Sequence, residues 1–227
     1  ESKFGLPVNQ LDALLPLLAQ HDIKVIGLHA HSGSGILNTM NWLDIANKLI
    51  GLSDYFPDLS IINVGGGLGI PEKVGQQPLD VCQMDESLMV FKQRYPHVQL
   101  WMEPGRYLSA ESGVLLARVN QVKLKSSLTY IGIDAGMNTL IRPALYGSYH
   151  RIVNLTRIDS VADHLSHIVG PICESGDFIG RSRWLPKTEE GDILLILNVG
   201  AYGFSMSSQY NLRPFAKEVL LAACDFV

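Results

Sequence analysis

The sequence predicts an α/β segment over residues 1–110 followed by an all-β domain over residues 111–227. Three observations carry this. In the first half, stretches with a helical apolar period alternate with short apolar strands. Each of those strands runs into glycine and polar residues. Beyond Gly113 the helical period is lost, and short strands succeed one another between turn residues.

Residues 8–21 carry an apolar helical period, with Pro16 expected to kink that helix or mark a boundary. Residues 24–30 read as a buried strand ending in His29-Ala30-His31-Ser32-Gly33-Ser34-Gly35. Residues 41–56 read as a helix with Trp42, Ile45, Ala46, Leu49 and Leu52 on one side. Residues 60–64 form a strand leading into Gly65-Gly66-Gly67-Leu68-Gly69, residues 86–95 a helix, and residues 98–103 a strand ending in Glu103-Pro104-Gly105-Arg106. This is about three of the eight units of a (β/α)8 barrel, whose active site sits at the C-terminal ends of its strands. In the second half, residues 114–122, 130–134, 151–156, 167–169, 192–199 and 215–220 read as strands.

Hydrophobic residues make up 47% of the 227 residues and charged residues 18%, enough apolar material for a packed core. The net charge is −4 without any lysine or arginine run, which argues against a nucleic-acid partner or an anionic membrane surface. No apolar run approaches the roughly 20 residues of a membrane span. Cys82, Cys173 and Cys224 form no paired framework, which points to a reducing, cytoplasmic setting. The start at Glu1 is neither a signal peptide nor an initiator methionine, so the chain reads as part of a longer one.

The densest chemistry lies in Pro171-Ile172-Cys173-Glu174-Ser175-Gly176-Asp177. Acids beside a thiol disfavour the thiolate, so Cys173 suits a proton donor better than a nucleophile. Taken alone, the segment reads equally well as a polar turn. Gly65, Gly66 and Gly67, between a strand and an expected helix, could cradle a phosphate with converging N–H groups, or simply form a tight turn. His31 could lie against a planar cofactor and Ser34 could reach a phosphate; His29 is the competing histidine. Glu103 ends a strand, where a carboxylate can keep a pyridine nitrogen protonated, and Arg106 follows three residues on. Arg142 and Tyr146, four apart in an expected loop, could both bind a carboxylate, although such residues are usually just exposed. Tyr202, in Gly200-Ala201-Tyr202-Gly203, could bond a phosphate or be an ordinary strand-end aromatic. His97, His150, His164 and His167 lack metal-like spacing, so no metal is expected.

The motifs H-S-G-S-G, N-V-G-G-G-L-G, E-P-G-R, R-P-A-L-Y, C-E-S-G-D and G-A-Y-G, in this order over residues 29–213, resemble the diaminopimelate decarboxylase family. That resemblance implies a pyridoxal-phosphate enzyme with an alanine-racemase-like (β/α)8 barrel followed by a β domain, in a homodimer with shared active sites. It implies decarboxylation of meso-diaminopimelate to L-lysine. His31 would stack on the pyridine ring; Ser34, Gly65, Gly66, Gly67 and Tyr202 would hold the phosphate. Glu103, within Glu103-Pro104-Gly105-Arg106, would meet the pyridine nitrogen. Arg106, Arg142, Tyr146 and Tyr202 would bind substrate, Glu174 would read its distal amine, and Cys173 would donate the proton, the last two reaching the partner's site.

The family's Schiff-base lysine lies in a Y-A-x-K-A setting, and no lysine here has one. The chain is therefore expected to be inactive alone. Ser32 and Gly35 stand where the family often has isoleucine or valine and glutamine. Two alternatives remain: a non-catalytic homologue acting as a binding or regulatory module, which the absent lysine favours and Cys173-Glu174 disfavours, or a decarboxylase of another basic amino acid.

Overall fold

A computed structural model describes residues 3–126 and 128–221. The chain divides into two compact units, residues 1–71 with 77–107 and residues 72–76 with 108–227.

In the first unit, helices α1 (Leu11–Gln20), α2 (Asn41–Ile50) and α3 (Val81–Arg94) alternate with strands β1 (Gly27–His29), β2 (Ile61–Asn63) and β3 (Gln99–Trp101). The strands are parallel, in the order β1-β2-β3. Trp42, Ile45, Ala46, Leu49 and Ile50 of α2 and Met84, Leu88 and Phe91 of α3 recur at helical spacing and bury one face of each helix around Ile62 and Val64. Several boundaries differ from expectation: β1 covers only Gly27–His29 of the expected 24–30 and is exposed at both ends rather than buried, and the helices shift as well. Helix α1 runs through Pro16; both Pro16 and Asp12, whose carbonyl loses its i+4 partner, are exposed, so water can take that bond. Helix α2 stops at Gly51, well short of residue 56, and a 3-10 turn follows at Ser53–Tyr55. Helix α3 starts at Val81 rather than at 86, because the Asp80 carboxylate accepts the Gln83 N–H at 2.9 Å and caps it.

The short helix α4 (Gly105–Ser109) precedes a mixed six-stranded sheet, with β4 (Leu115–Lys125), β5 (Leu128–Ile133), β6 (Ile152–Asn154), β7 (His164–Val169), β8 (Phe178–Leu185) and β9 (Ile193–Ile196) in the order β6-β9-β4-β5-β7-β8. Every pairing is antiparallel except β5–β7. Val119, Ile131, Ile133, Ile168, Ile179, Leu194 and Ile196 form its core. Two strand assignments are corrected. Strand β8 escapes a period-two reading because Ile179 and Gly180 are buried in succession and Ser182 has φ 52°, which breaks the alternation. Residues 215–220 form no strand: no sheet ladder pairs with them, and Val219 and Leu220 are 70% and 93% exposed. The segment at 142–146, expected as a loop, is a single helical turn, α5 (Arg142–Tyr146).

Asp192 ties the sheet edge together. Its Oδ2 accepts from Arg157 Nε at 2.7 Å and from the Asn154 amide and the Glu189 N–H, each at 2.9 Å. Burial pushes its pKa up, but these bonds and the guanidinium charge prevail and hold it below the ordinary carboxylate value. Because the folded-state value is depressed, this stabilisation is complete above the unfolded value of about 4 and is lost as pH falls through the folded one. Asp192→Asn should therefore melt several degrees below the parent at neutral pH, and the gap should narrow below about pH 4. Melting curves across that range test this; a constant gap would contradict it.

Candidate functional site

In the first unit the strand register builds a polar row. His29, Asn63 and Trp101 are aligned across β1, β2 and β3. Pairing continues past the strand ends, with Ala30 N–H to Asn63 O, Val64 N–H to Trp101 O, and Glu103 N–H to Gly65 O at 2.9 Å. Strand alternation therefore places His31, Gly65 and Glu103 next in the same direction. The Asn63 amide links them: its Nδ2 donates to Glu103 Oε1 at 2.8 Å, and its Oδ1 accepts the Gly65 N–H at 2.9 Å. The second Glu103 oxygen lies 3.7 Å from His29 Nε2, and the Glu103 side chain stays 56% exposed. His31 Nδ1 accepts the Gly66 N–H at 3.2 Å, so the neutral ring carries its proton on Nε2.

The three glycines are explained by close approach. A Cβ on Gly66 would lie 2.0 Å from the Glu103 carbonyl oxygen, one on Gly65 2.6 Å from that of Ala30, and one on Gly67 2.1 Å from that of Gly33. Gly65 and Gly67 also have φ of 70° and 84°. Trp42 Nε1 donates to the Gly66 carbonyl from the core at 3.0 Å. The expected helix after this turn is absent. Leu68 instead forms a parallel bridge to Ile36, and α3 begins only at Val81. The turn thus has no helix dipole behind it, and two of its three N–H groups are donated to Asn63 and His31. Ser34 is exposed on the loop after β1, and Gly105 and Arg106 open α4 behind Glu103 and Pro104.

In the second unit Cys173 and Glu174 are exposed on the loop between β7 and β8. Asp177 anchors that loop: the residue is only 3% exposed, and its carboxylate accepts the Ile172 N–H at 2.7 Å and the Met137 N–H at 2.6 Å. A Cβ on Gly136 or Gly170 would come within 2.7 or 2.3 Å of it. Burial raises the Asp177 pKa, against the pull of those two N–H groups and Arg213. Glu174 Oε1 accepts the Tyr210 hydroxyl, and that bond, with the Glu174 charge, raises the Tyr210 pKa. Arg142 opens α5 and is only 8% exposed, while Tyr146 is 65% exposed. Tyr202 is half exposed in the left-handed region, φ 58°. It is held between Gly200, whose Cβ would meet the Ser109 carbonyl at 2.0 Å, and Gly203, whose Cβ would meet that of Val199 at 2.4 Å. Tyr202, Phe204, Ser112, Thr139 and Val199 line part of a cavity of about 590 Å³.

Asn63 opens the N-V-G-G-G-L-G motif and Tyr210-Asn211-Leu212-Arg213-Pro214 extends the family match, but the sequence assigns neither residue a role, and it marks His150 only as lacking metal-like spacing. Asn63 becomes visible only once the register with Glu103 is drawn, and Tyr210 pairs with a residue 36 positions away. Cys82 is an exposed thiol on α3, and Cys224 lies outside the described residues. Among the described residues, no cluster of three or more His, Cys, Asp or Glu could hold a metal, and no helix is long and apolar enough to cross a membrane.

Residues 18–200 match the family model described as pyridoxal-dependent decarboxylase, C-terminal sheet domain. The diaminopimelate decarboxylase of Archaeoglobus fulgidus is 40% identical over 98% of this chain and 55% of its own length. That of Escherichia coli K12 is 35% identical over 96% and 56%. Among solved structures, a diaminopimelate decarboxylase superposes with a TM-score of 0.85 at 35% identity, covering 97% of this chain and 56% of that one. The Helicobacter pylori enzyme complexed with L-lysine gives 0.79 at 31%, covering 95% and 54%. The chain spans about half the length of the curated relatives it matches. With this match extending through both units, the chain belongs to the pyridoxal-dependent decarboxylases.

Proposed function

We propose that this chain supplies cofactor- and substrate-binding residues of a diaminopimelate decarboxylase, which converts meso-diaminopimelate to L-lysine and carbon dioxide, the last step of lysine biosynthesis, in the cytoplasm. The observation that carries the reading is the linked set Glu103–Asn63–Gly65 with His31–Gly66. It offers a fixed, half-exposed carboxylate, an aromatic ring and a close-packed glycine turn, a donor set that fits pyridoxal phosphate. When bound, the cofactor supplies an electron sink for the carbanion left by loss of carbon dioxide.

Glu103, oriented by Asn63, would keep the pyridine nitrogen protonated. His31 would lie against the ring, its orientation set by the Gly66 N–H. Ser34 and Gly67 would donate to the phosphate, as would Tyr202 by the family resemblance, while Gly65 and Gly66 would shape the turn more than they donate. Pro104, Gly105 and Arg106 follow Glu103 as part of the same wall. Arg106, Arg142 and Tyr146 bind the substrate carboxylates. Glu174, held by Tyr210, takes the distal ammonium. Cys173 gives the α-carbon its proton in the site of the partner copy in a homodimer, on a loop that Asp177 anchors. The family's barrel and the Schiff-base lysine belong to this proposal for the whole protein.

The test uses the protein containing this chain, loaded with pyridoxal phosphate, and follows lysine and carbon dioxide release. Turnover of meso-diaminopimelate at roughly 1 per second or faster is expected. Ornithine and arginine should have kcat/KM at least about 100-fold lower, because neither carries the distal ammonium beside a second carboxylate. Equal or better use of ornithine would overturn the substrate assignment, and no decarboxylation of any amino acid would overturn the activity.

A further inference from the structure

We propose that His150 is a positioning residue for Arg142, a neutral histidine buried behind the guanidinium that fixes where it points. The inference rests on the reading of Arg142 as a ligand for a substrate carboxylate.

His150 is 0% exposed. Its Nε2 lies 3.1 Å from Arg142 Nη1, and its Nδ1 lies 2.9 Å from the Leu197 carbonyl oxygen. A guanidinium only donates and a carbonyl only accepts, so chemistry assigns the proton. Nε2 must offer its lone pair to Arg142, and Nδ1 must carry the hydrogen given to Leu197. Only the neutral Nδ1–H tautomer makes both bonds. The imidazolium would turn an N–H against a cation, and the other neutral tautomer would break both bonds at once.

The fold delivers this pair. Helix α5 lasts one turn and stops at Gly147, whose left-handed φ 65° and ψ 20° let its N–H cap the Pro143 carbonyl at 3.1 Å. The chain then doubles back, and His150 arrives beside Arg142 just before β6. Pairing of Ile152 with Ile196, and the Leu197 N–H to Arg151 carbonyl bond at 2.9 Å, bring the Leu197 carbonyl to the ring. Two paired strands therefore hold the ring, and the ring holds the long, otherwise multi-rotamer arginine. Arg142 is 8% exposed, so little of it can be re-aimed by solvent if this contact is lost.

Three measurements on the protein containing this chain decide the matter. Nitrogen NMR of histidine-labelled protein, with the His150 signals identified from His150→Gln, should show Nδ1 protonated and Nε2 bare near neutral pH; the opposite tautomer or an imidazolium overturns the pairing. In steady-state assays His150→Phe should raise the substrate KM about 10-fold or more, the scale of one hydrogen bond to a charged group, with kcat changed much less. His150→Gln, whose side-chain carbonyl can accept from Arg142, should recover most of that loss. The double variant Arg142→Ala/His150→Phe should show the KM of Arg142→Ala alone, because His150 acts only through Arg142; additive losses would make His150 a structural residue and overturn the proposal. An Arg142→Ala variant with unchanged KM would instead overturn the carboxylate role of Arg142, and the NMR result would show that failure to be separate from the pairing itself. If His150→Phe does not fold, the tautomer of the unaltered protein and a near-parental KM in His150→Gln still decide the pairing: an Nε2–H tautomer or a KM raised about 10-fold or more in His150→Gln overturns it.

Discussion

Gly66→Ala is expected to destroy cofactor binding and to destabilise the first unit by about 3 kcal/mol or more, at or above the top of the usual range for overpacking. The added methyl would sit 2.0 Å from the Glu103 carbonyl oxygen, so one of two backbones must move. Glu103 is bonded through its own N–H to Gly65 and through its carboxylate to Asn63, so any shift misplaces the acid, the amide and the turn together. The same displacement removes the Gly66 N–H from His31 Nδ1 and the Gly66 carbonyl from Trp42 Nε1. Gly51→Ala is the control: its Cβ would meet only carbonyls of its own helix, at 3.4 Å, with ordinary φ. Thermal melts and retention of pyridoxal phosphate after desalting, with both variants in the protein containing this chain, provide the check. Normal cofactor content in Gly66→Ala would show that the convergence of strand ends does not build the cradle.

The second large effect concerns turnover. Cys173→Ala should lower kcat about 10² to 10⁴-fold, the usual loss on removing a general acid, while cofactor content stays near that of the parent. The thiol is exposed, so its removal leaves no core cavity, and the loop remains tied through Asp177 to Ile172 and Met137. If the thiol serves the partner's site, Cys173→Ala and Glu103→Ala subunits should complement each other. Half the dimers in an equal, freely exchanging mixture are mixed, and each has one site with both groups intact. About one quarter of parental activity should return. Full activity of Cys173→Ala alone would remove the proton-donor role, and verified mixed dimers without activity would remove the shared site.

Much of the first unit was legible because its signals are local. The spacing of Trp42, Ile45, Ala46 and Leu49 marks a helix face in any context, and glycine after an apolar strand marks a loop. The errors came where a distant partner decides. Phe215, Val219 and Leu220 have strand-like chemistry, but a strand exists only if another offers its ladder, and none among the described residues does. In β8 a left-handed Ser182 resets the alternation, while its N–H goes to His167 Nδ1 at 2.9 Å on the neighbouring strand. The same division holds at the site. Glu103, Cys173 and Glu174 stand out by residue type, because acids and thiols at turns suggest chemistry. Asn63, His150 and Tyr210 act by holding another residue, so each becomes visible only once its partner's position is known.

Tyr202 keeps a left-handed backbone that a residue with a Cβ adopts at a cost of about 1 kcal/mol. Glycine would adopt it freely and asparagine more readily than tyrosine. A laboratory selection that rewards heat resistance or yield alone should therefore enrich Tyr202→Gly and Tyr202→Asn, and, on the phosphate role proposed for Tyr202, the survivors would be sturdier proteins with a poorer grip on phosphate. Under the proposed role of Tyr202 as a phosphate ligand, the position is one where durability and grip on the cofactor are set against each other.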